Sequence, residues 1–129
     1  MKIDSKHKVL FAIYAEYQKD IPNMEDVNYN VLDMDSKVFR IALFKLQNEG
    51  FIDGLKTHPP NEKNVDRIKV IMIKEVMPTR FGIEYVENKL EVRKDLTSQE
   101  KLKQIAEKFG KFGFEVLKEV AIQKLNSFI

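Results

Sequence analysis

Five polar side chains between residues 36 and 48 have types and spacing that suit contact with a nucleic acid. Projected at 100° per residue, four of them share one face of a predicted helix and the fifth stands at its start: Lys37, Arg40, Gln47 and Asn48, with Ser36. Lysine and arginine bond phosphates or guanine, whereas glutamine and asparagine bond the edge of adenine. This pattern favours a helix that enters the major groove of double-stranded DNA.

The same helix face also carries two large apolar side chains, Ile41 and Phe44, which favour a different partner. They do not suit a hydrated, anionic groove, and if exposed they would form a patch that monomeric proteins usually avoid. We therefore expect protein to cover this face, either the last helix of the same chain or that of a second copy. The alternative to DNA binding is a protein-interaction module that contacts its partner through Ile41 and Phe44.

A second group of basic side chains lies in and just after a polar loop predicted over residues 57–64. Lys63 and Arg67 stand out, because a basic loop at the tip of a hairpin can hold the minor groove or the phosphate backbone. Glu62 and Asp66 offset part of this charge. The loop supports DNA contact by the helix, although an ordinary solvated hairpin explains the same residues.

Side chains that perform catalysis or hold metals form no recognisable set in this chain. The sequence contains no cysteine, and its two histidines, His7 and His58, have neither a carboxylate nor a second histidine at ligand spacing. Its five glycines form no phosphate-binding loop, and no serine stands in the context of a hydrolase nucleophile. We therefore predict no catalytic, cofactor-binding or metal-binding residues and no enzymatic activity.

Charge and composition limit the partners and the location of the protein. The chain of 129 residues has a net charge of +2, and residues 1–77 contain twelve basic and twelve acidic side chains. A domain that neutralises several phosphates usually has a clear basic excess, so this balance weakens the DNA interpretation. No apolar run approaches the ~20 residues that span a membrane. We expect a cytoplasmic protein, because the N-terminus lacks a signal-peptide cleavage site and cysteine is absent.

Apolar spacing predicts the helices that must position these side chains. A first helix is predicted over residues 4–18 and a short, weak second helix over residues 24–31. The third helix begins after its N-cap Asp35 and ends at Gly50, the expected C′ glycine. Its core face consists of apolar residues spaced at i, i+3, i+4 and i+7, namely Phe39, Ala42, Leu43 and Leu46.

Two extended segments follow the third helix and predict an antiparallel hairpin. Residues 51–55 begin the first strand, and residues 67–76, rich in β-branched side chains, form the second. The loop between them contains two prolines, so it cannot be regular structure. The sequence therefore predicts a mainly α-helical fold with one small antiparallel β hairpin, after which Thr79 caps another helix.

The last predicted helix begins at Thr97 and Glu100, which have capping-box spacing. Apolar residues then recur at spacings of three and four in a seam formed by Leu102, Ile105, Phe109, Phe112 and Val116. Such a seam suits dimerisation or packing within the chain, with Phe109 and Phe112 as candidate contact residues. The spacing does not decide between a homodimer and a monomer.

Two segments, in this order of elements, resemble a known family. They are MDSKVFRIALFKLQNEGFIDG at residues 34–54 and MPTRFGIEYVENK at residues 77–89. Together with the first helix they resemble the YjcQ family, small winged-helix proteins of Gram-positive bacteria and of their phages and prophages. The resemblance covers about residues 5–92 and implies a winged helix-turn-helix with no catalytic residues to transfer. The longer C-terminal helix departs from a short member of that family.

These observations divide the chain into a winged-helix domain at residues 1–92 and an extended C-terminal amphipathic helix at residues 93–129. The first functional hypothesis is a phage-type or prophage-type DNA-binding or regulatory protein that forms a dimer. The second is an interaction module of the same fold that binds no nucleic acid. Neither hypothesis includes a cofactor, a metal or a membrane.

Overall fold

The computed structural model describes residues 4–111, in which helices predominate over short strands. Four α-helices and four strands occur within this range. The prediction of a mainly α-helical fold with a small antiparallel β hairpin is confirmed. In chain order the elements are α1 (Ser5–Tyr17), α2 (Ser36–Asn48), β1 (Ile52–Asp53), β2 (Lys56–His58), β3 (Val70–Met72), β4 (Met77–Pro78), α3 (Arg80–Lys89) and α4 (Ser98–Lys111).

Polar side chains at the N-termini explain where the helices begin. The carboxylate of Asp35 accepts hydrogen bonds from two backbone N–H groups in the first turn of α2, as predicted. The hydroxyl of Thr79 accepts one at 3.0 Å from the first turn of α3. Thr97 and Glu100 each accept a bond at 3.2 Å from the other's backbone N–H group, which is the predicted capping box of α4.

The segment between α1 and α2 differs from the second helix predicted at residues 24–31. It contains only a single 3-10 turn, Met24–Asp26, followed by irregular turns. The side chain of Asn28 accepts a hydrogen bond from the N–H group of Val31 at 2.9 Å, which replaces a helical bond. The helix therefore stops after one turn, and Tyr29 is left 41% exposed.

The predicted hairpin is present but is divided into two short antiparallel ladders. Strands β1 and β4 pair Ile52 with Pro78, and strands β2 and β3 pair Thr57 with Ile71. The second strand, predicted over residues 67–76, is shorter than expected because Arg67 ends a 3-10 turn, Val65–Arg67. We refer to these four strands and the loop 59–69 as the ribbon.

The division of the ribbon occurs where Gly54 meets the turn before β4. Gly54 has a φ of +90°, a conformation that side chains disfavour. A Cβ atom built on it would lie 2.2 Å from the backbone oxygen of Glu75. The backbone at Glu75 therefore approaches position 54 too closely for any residue other than glycine.

The core forms around α1, whose residues from Val9 to Ala15 are buried on all sides. The predicted stripe of α2 packs against it and is buried in full, namely Phe39, Ala42, Leu43 and Leu46. From α4, Ile105 and Phe109 join the same cluster. Within residues 4–111, no helix combines the length and the apolar character that crossing a membrane requires.

A buried carboxylate connects three of the helices. One oxygen of Glu87 in α3 accepts hydrogen bonds from the hydroxyl of Tyr14 at 2.6 Å and from the ammonium of Lys101 at 2.7 Å. Burial, followed by this bond to Glu87, raises the pKa of Tyr14 far above its ordinary value, so the hydroxyl stays protonated. The arrangement holds α1, α3 and α4 in fixed relative positions.

Candidate functional site

Two of the side chains predicted to read DNA are bonded to the ribbon. The guanidinium of Arg40 donates to the backbone oxygen of Ile68 at 2.9 Å, in a partly buried contact. The side-chain oxygen of Gln47 accepts a bond from the N–H group of Leu55 at 2.8 Å. Both residues therefore hold the outer face of α2 against the ribbon, and their bonding groups are partly occupied.

The remaining predicted DNA contacts are exposed. The ammonium of Lys37 lies 3.1 Å from the carboxylate of Asp66, and both side chains are mostly in solvent. Ser36 and Asn48 are exposed at opposite ends of α2, whereas Lys63 and Arg67 are exposed on the ribbon loop. The ion pair places the first turn of α2 beside the 3-10 turn that contains Arg67, so Lys37 and Arg67 share one end of the helix. Lys63 instead lines a cleft with Asn48 at the other end.

The apolar pair on α2 is only partly covered. Ile41 and Phe44 are both half-buried. Phe44 lines a cleft of about 880 Å³ whose other apolar walls come from Leu55, Pro60 and Met72 of the ribbon. We expected the last helix to lie beside Phe44. The structure places the ribbon there.

Of the two phenylalanines predicted as contact residues in the last helix, one lies in the core. Phe109 is completely buried and its ring stacks on Phe11, with the ring centres 6.4 Å apart. It therefore packs within the chain. Phe112 lies outside the described residues.

A second groove, with a mainly apolar lining, runs beside the ribbon, and we call it the β3-edge groove. It encloses about 760 Å³ between the turn at residues 25–29, one face of α2 and the stretch from Lys69 to Glu75. This volume is in the range of ~300–1,000 Å³ that is typical of ligand sites. Its apolar lining consists of Val27, Tyr29, Phe39, Leu43, Val70, Ile71, Met72 and Ile73.

The groove contacts successive residues of β3 rather than only one of its faces. Successive side chains of a strand point to opposite faces, so a cleft on one face would contact only alternate residues. Every residue from 69 to 75 lines the groove. It therefore contacts the backbone of β3 as well as its side chains, and Lys56 of β2 also lines it. The edge of β3 opposite β2 is paired with no strand within residues 4–111.

Charged side chains around the β3-edge groove have a basic excess. Four basic side chains and two acidic ones line it, namely Arg40, Lys56, Lys69 and Lys74 with Glu25 and Glu75. The carboxylate of Glu75 lies 2.6 Å from the ammonium of Lys56, and this bond lowers the pKa of Glu75. Lys69 and Lys74 are exposed and form no ion pair within the described residues.

The sequence predicts no carboxylate at ligand spacing from His7, whereas the structure places Asp4 beside its ring. Its Nδ1 lies 2.8 Å from the carboxylate of Asp4, and its Nε2 lies 2.5 Å from the hydroxyl of Tyr85. Asp4 also accepts the backbone N–H group of His7, which caps α1 and is the main cause of the lowered pKa of Asp4. This chain of three groups joins α1 to α3. Among residues 4–111, no three potential metal ligands lie together.

Comparisons with known proteins do not extend these observations. No family model matches the chain, and neither a curated protein nor a solved structure does so. The resemblance to the YjcQ family therefore stays a prediction from the residues that carry it.

The sequence contained one signal for the β3-edge groove that periodicity alone does not interpret. Residues 70–73 are apolar at four successive positions, so both faces of β3 are apolar. Such a strand usually has protein on both sides, yet Val70 is 50% and Met72 is 46% exposed. The apolar run is visible in the sequence, but its exposure is visible only in the structure. The two together indicate a binding surface.

Proposed function

We propose that this protein is an interaction module that binds a segment of another protein in the β3-edge groove, on a scaffold of the winged-helix type. The observation that carries the proposal is an apolar groove of about 760 Å³ beside β3, one edge of which no other strand covers within residues 4–111. Exposed contiguous apolar surface is characteristic of interaction sites. The proposal includes a cytoplasmic location, which the lack of cysteine suits.

The positions of the polar residues on α2 support this function over DNA reading. Arg40 and Gln47 bond the ribbon backbone, and their loss to DNA would leave those backbone groups without partners. The ribbon lies against the face that would have to enter the major groove. A homodimer and a phage or prophage setting remain predictions from the sequence.

The experiment that tests the proposal is selection of binding peptides from a random display library, followed by fluorescence anisotropy. We expect enriched peptides whose affinity falls at least about tenfold in Val70→Glu, because a carboxylate then enters the apolar groove. Val38→Glu is the matched control, since Val38 is 40% exposed on α2 and does not line the groove. Failure to enrich any peptide, or equal affinity for both variants, would overturn the proposal.

DNA binding is the second candidate, and one observation favours it. The pair of Lys37 with Asp66 at 3.1 Å brings Lys37 close to the exposed Arg67 at the N-terminal end of α2. Phosphate contacts of this kind lose affinity steeply with salt, with a slope of about 0.9 per phosphate in logarithmic units.

Gel retardation of a mixed-sequence duplex at about 50 and about 200 mM salt tests this candidate. DNA binding predicts retardation at low salt that weakens in the double variant Lys37→Ala, Arg67→Ala. Lys89→Ala is the control, because Lys89 is exposed on α3 and distant in sequence from both regions. Absence of retardation at low salt would exclude DNA as the partner.

A further inference from the structure

We propose that the segment bound in the β3-edge groove is an extended peptide with acidic flanks, which pairs with the backbone of β3 as a third strand. This inference rests on the proposed function and specifies its partner. Strand addition to an open sheet edge obtains affinity from main-chain hydrogen bonds and specificity from alternate side chains.

The shape of the groove favours a strand as its occupant. It contacts residues 69–75 in succession, of which Val70–Met72 form β3, and it includes Gly54 at the end of the ladder. Strand β2 pairs with the other edge at Lys56, Thr57 and His58. An added strand beside β3 would therefore complete a three-stranded antiparallel or mixed sheet.

The lining of the groove determines which side chains the peptide must carry. The exposed apolar lining consists of Tyr29, Val70 and Met72, and three other apolar lining residues, Val27, Phe39 and Leu43, are already buried. Alternate side chains of an added strand point toward this surface, whereas the intervening side chains point to solvent. The peptide should therefore be apolar at every second residue.

The charge on the rim determines the flanks of the peptide. Lys69 lies directly before β3, and Lys74 lies in the turn that follows it, so the two lysines stand beyond opposite ends of the strand. Neither lysine has an ion pair within residues 4–111, whereas Glu75 is paired with Lys56. Acidic residues at both ends of an added strand match the two unpaired ammonium groups. Glu25, on the opposite wall, is too isolated to reverse the basic excess.

A labelled peptide of sequence Asp-Val-Thr-Ile-Thr-Val-Asp is the direct probe, measured by anisotropy against the full chain. We expect binding that falls at least about tenfold when lysine replaces both flanking aspartates, because attraction to the rim becomes repulsion. The protein variant Lys69→Glu should weaken binding of the acidic probe by a similar factor. Lys63→Glu is the matched control, since Lys63 is exposed on the ribbon loop and does not line the groove.

Backbone methylation of the probe tests strand pairing itself. Only alternate residues of an added strand bond its neighbour. N-methyl groups on one alternating set of amides should therefore abolish binding, while N-methyl groups on the other set should not. Binding that tolerates both sets, or that is independent of the flanking charge, overturns the inference.

Other occupants of the groove would give different results. If a second copy of this chain pairs there, analytical ultracentrifugation will show a dimer that Val70→Glu dissociates and that the acidic probe does not. That outcome overturns the peptide inference. If random selection yields groove-dependent peptides but the designed probe does not bind, the proposed function stands and strand addition with acidic flanks falls.

Discussion

Arg40 and Gln47 show most clearly that the chemical type of a side chain does not determine which group it bonds in the structure. Their helical spacing predicts that both lie on the outer face of α2, which also carries Ile41 and Phe44, and both are half-buried there. Whether this face of α2 meets the ribbon depends on how residues 52–78 fold back. The spacing of residues within one helix carries no information about that. Residue types therefore predicted a face of the helix correctly without identifying the groups that it meets.

A structural role for Arg40 predicts a loss of stability rather than only a loss of binding. Arg40→Ala leaves the buried backbone oxygen of Ile68 without its donor, so we expect a loss of about 1–3 kcal/mol in unfolding free energy. Lys37→Ala removes only an exposed ion pair and should change stability by less than about 0.5 kcal/mol. Urea denaturation measures both values, and equal stability of the two variants would contradict the role given to Arg40.

Asp4, the N-cap of α1, leads to a second prediction, which concerns the stability of the protein at acid pH. The pKa of Asp4 is lowered below its ordinary value of 3.8, first by the bond from the backbone N–H group of His7. A carboxyl group whose folded pKa is depressed stabilises the protein above its unfolded pKa and loses that contribution as pH falls through the folded pKa. The stabilisation by Asp4 is therefore present at neutral pH and is lost below about pH 4.

The variant Asp4→Asn isolates this effect, because asparagine also caps helices but does not titrate. Comparison of urea midpoints from about pH 5 to about pH 3 should show a steeper decline for the wild type than for Asp4→Asn. Parallel curves would show that the carboxylate contributes nothing to acid sensitivity.

At the scale of elements, local signals predicted the helices well and the ribbon less well. Caps at Asp35, Thr79 and Thr97 act within one turn, so the sequence alone is enough to locate them. Strand bounds depend on a partner strand, and the approach of Gly54 to Glu75 divides a ladder that looks continuous in sequence. The prediction of a second helix is wrong because the side chain of Asn28 competes for a backbone hydrogen bond. Helix propensity expresses this local effect only as a weak tendency to form a helix.

The two glycines with positive φ at either end of β1 allow a matched test of this division. Gly54→Ala meets both an unfavourable φ of +90° and a clash at 2.2 Å with a backbone oxygen. We expect a loss of about 2–4 kcal/mol from the combined strain and overpacking. Gly50→Ala has a φ of +83° with open space around the added Cβ, and it should cost about 1 kcal/mol. Thermal or urea unfolding of the two variants measures the difference, and similar losses would refute the close approach.

At the scale of the whole molecule, the position and the walls of the β3-edge groove could not be predicted from the sequence. Its walls come from residues 25–29 and 69–75, which lie about forty positions apart in the chain. Periodicity describes one element at a time and does not say which edge of a strand another segment will approach. The core was more predictable, because the apolar stripes of α2 and α4 each require burial wherever they pack.

The buried carboxylate of Glu87 gives a prediction at this scale. Lys101→Ala removes its cation, and we expect a loss of about 2–3 kcal/mol, somewhat less than for a fully buried pair because the lysine is 15% exposed. Lys103→Ala, on an exposed position of the same helix, should stay within about 0.5 kcal/mol of the wild type. The measurement is the unfolding free energy, and a small effect at Lys101 would show that Tyr14 alone satisfies the carboxylate.

The contribution of α4 to the core also determines when the protein can fold during synthesis. As a ribosome releases the chain from its N-terminus, Phe11 and Glu87 emerge before Phe109 and Lys101, their later partners. Until those partners leave the exit tunnel, the nascent polypeptide has an uncompensated carboxylate and an uncovered aromatic ring. Native packing of the core therefore follows the translation of α4. Until α4 is complete, the nascent chain exposes an apolar surface that chaperones can bind.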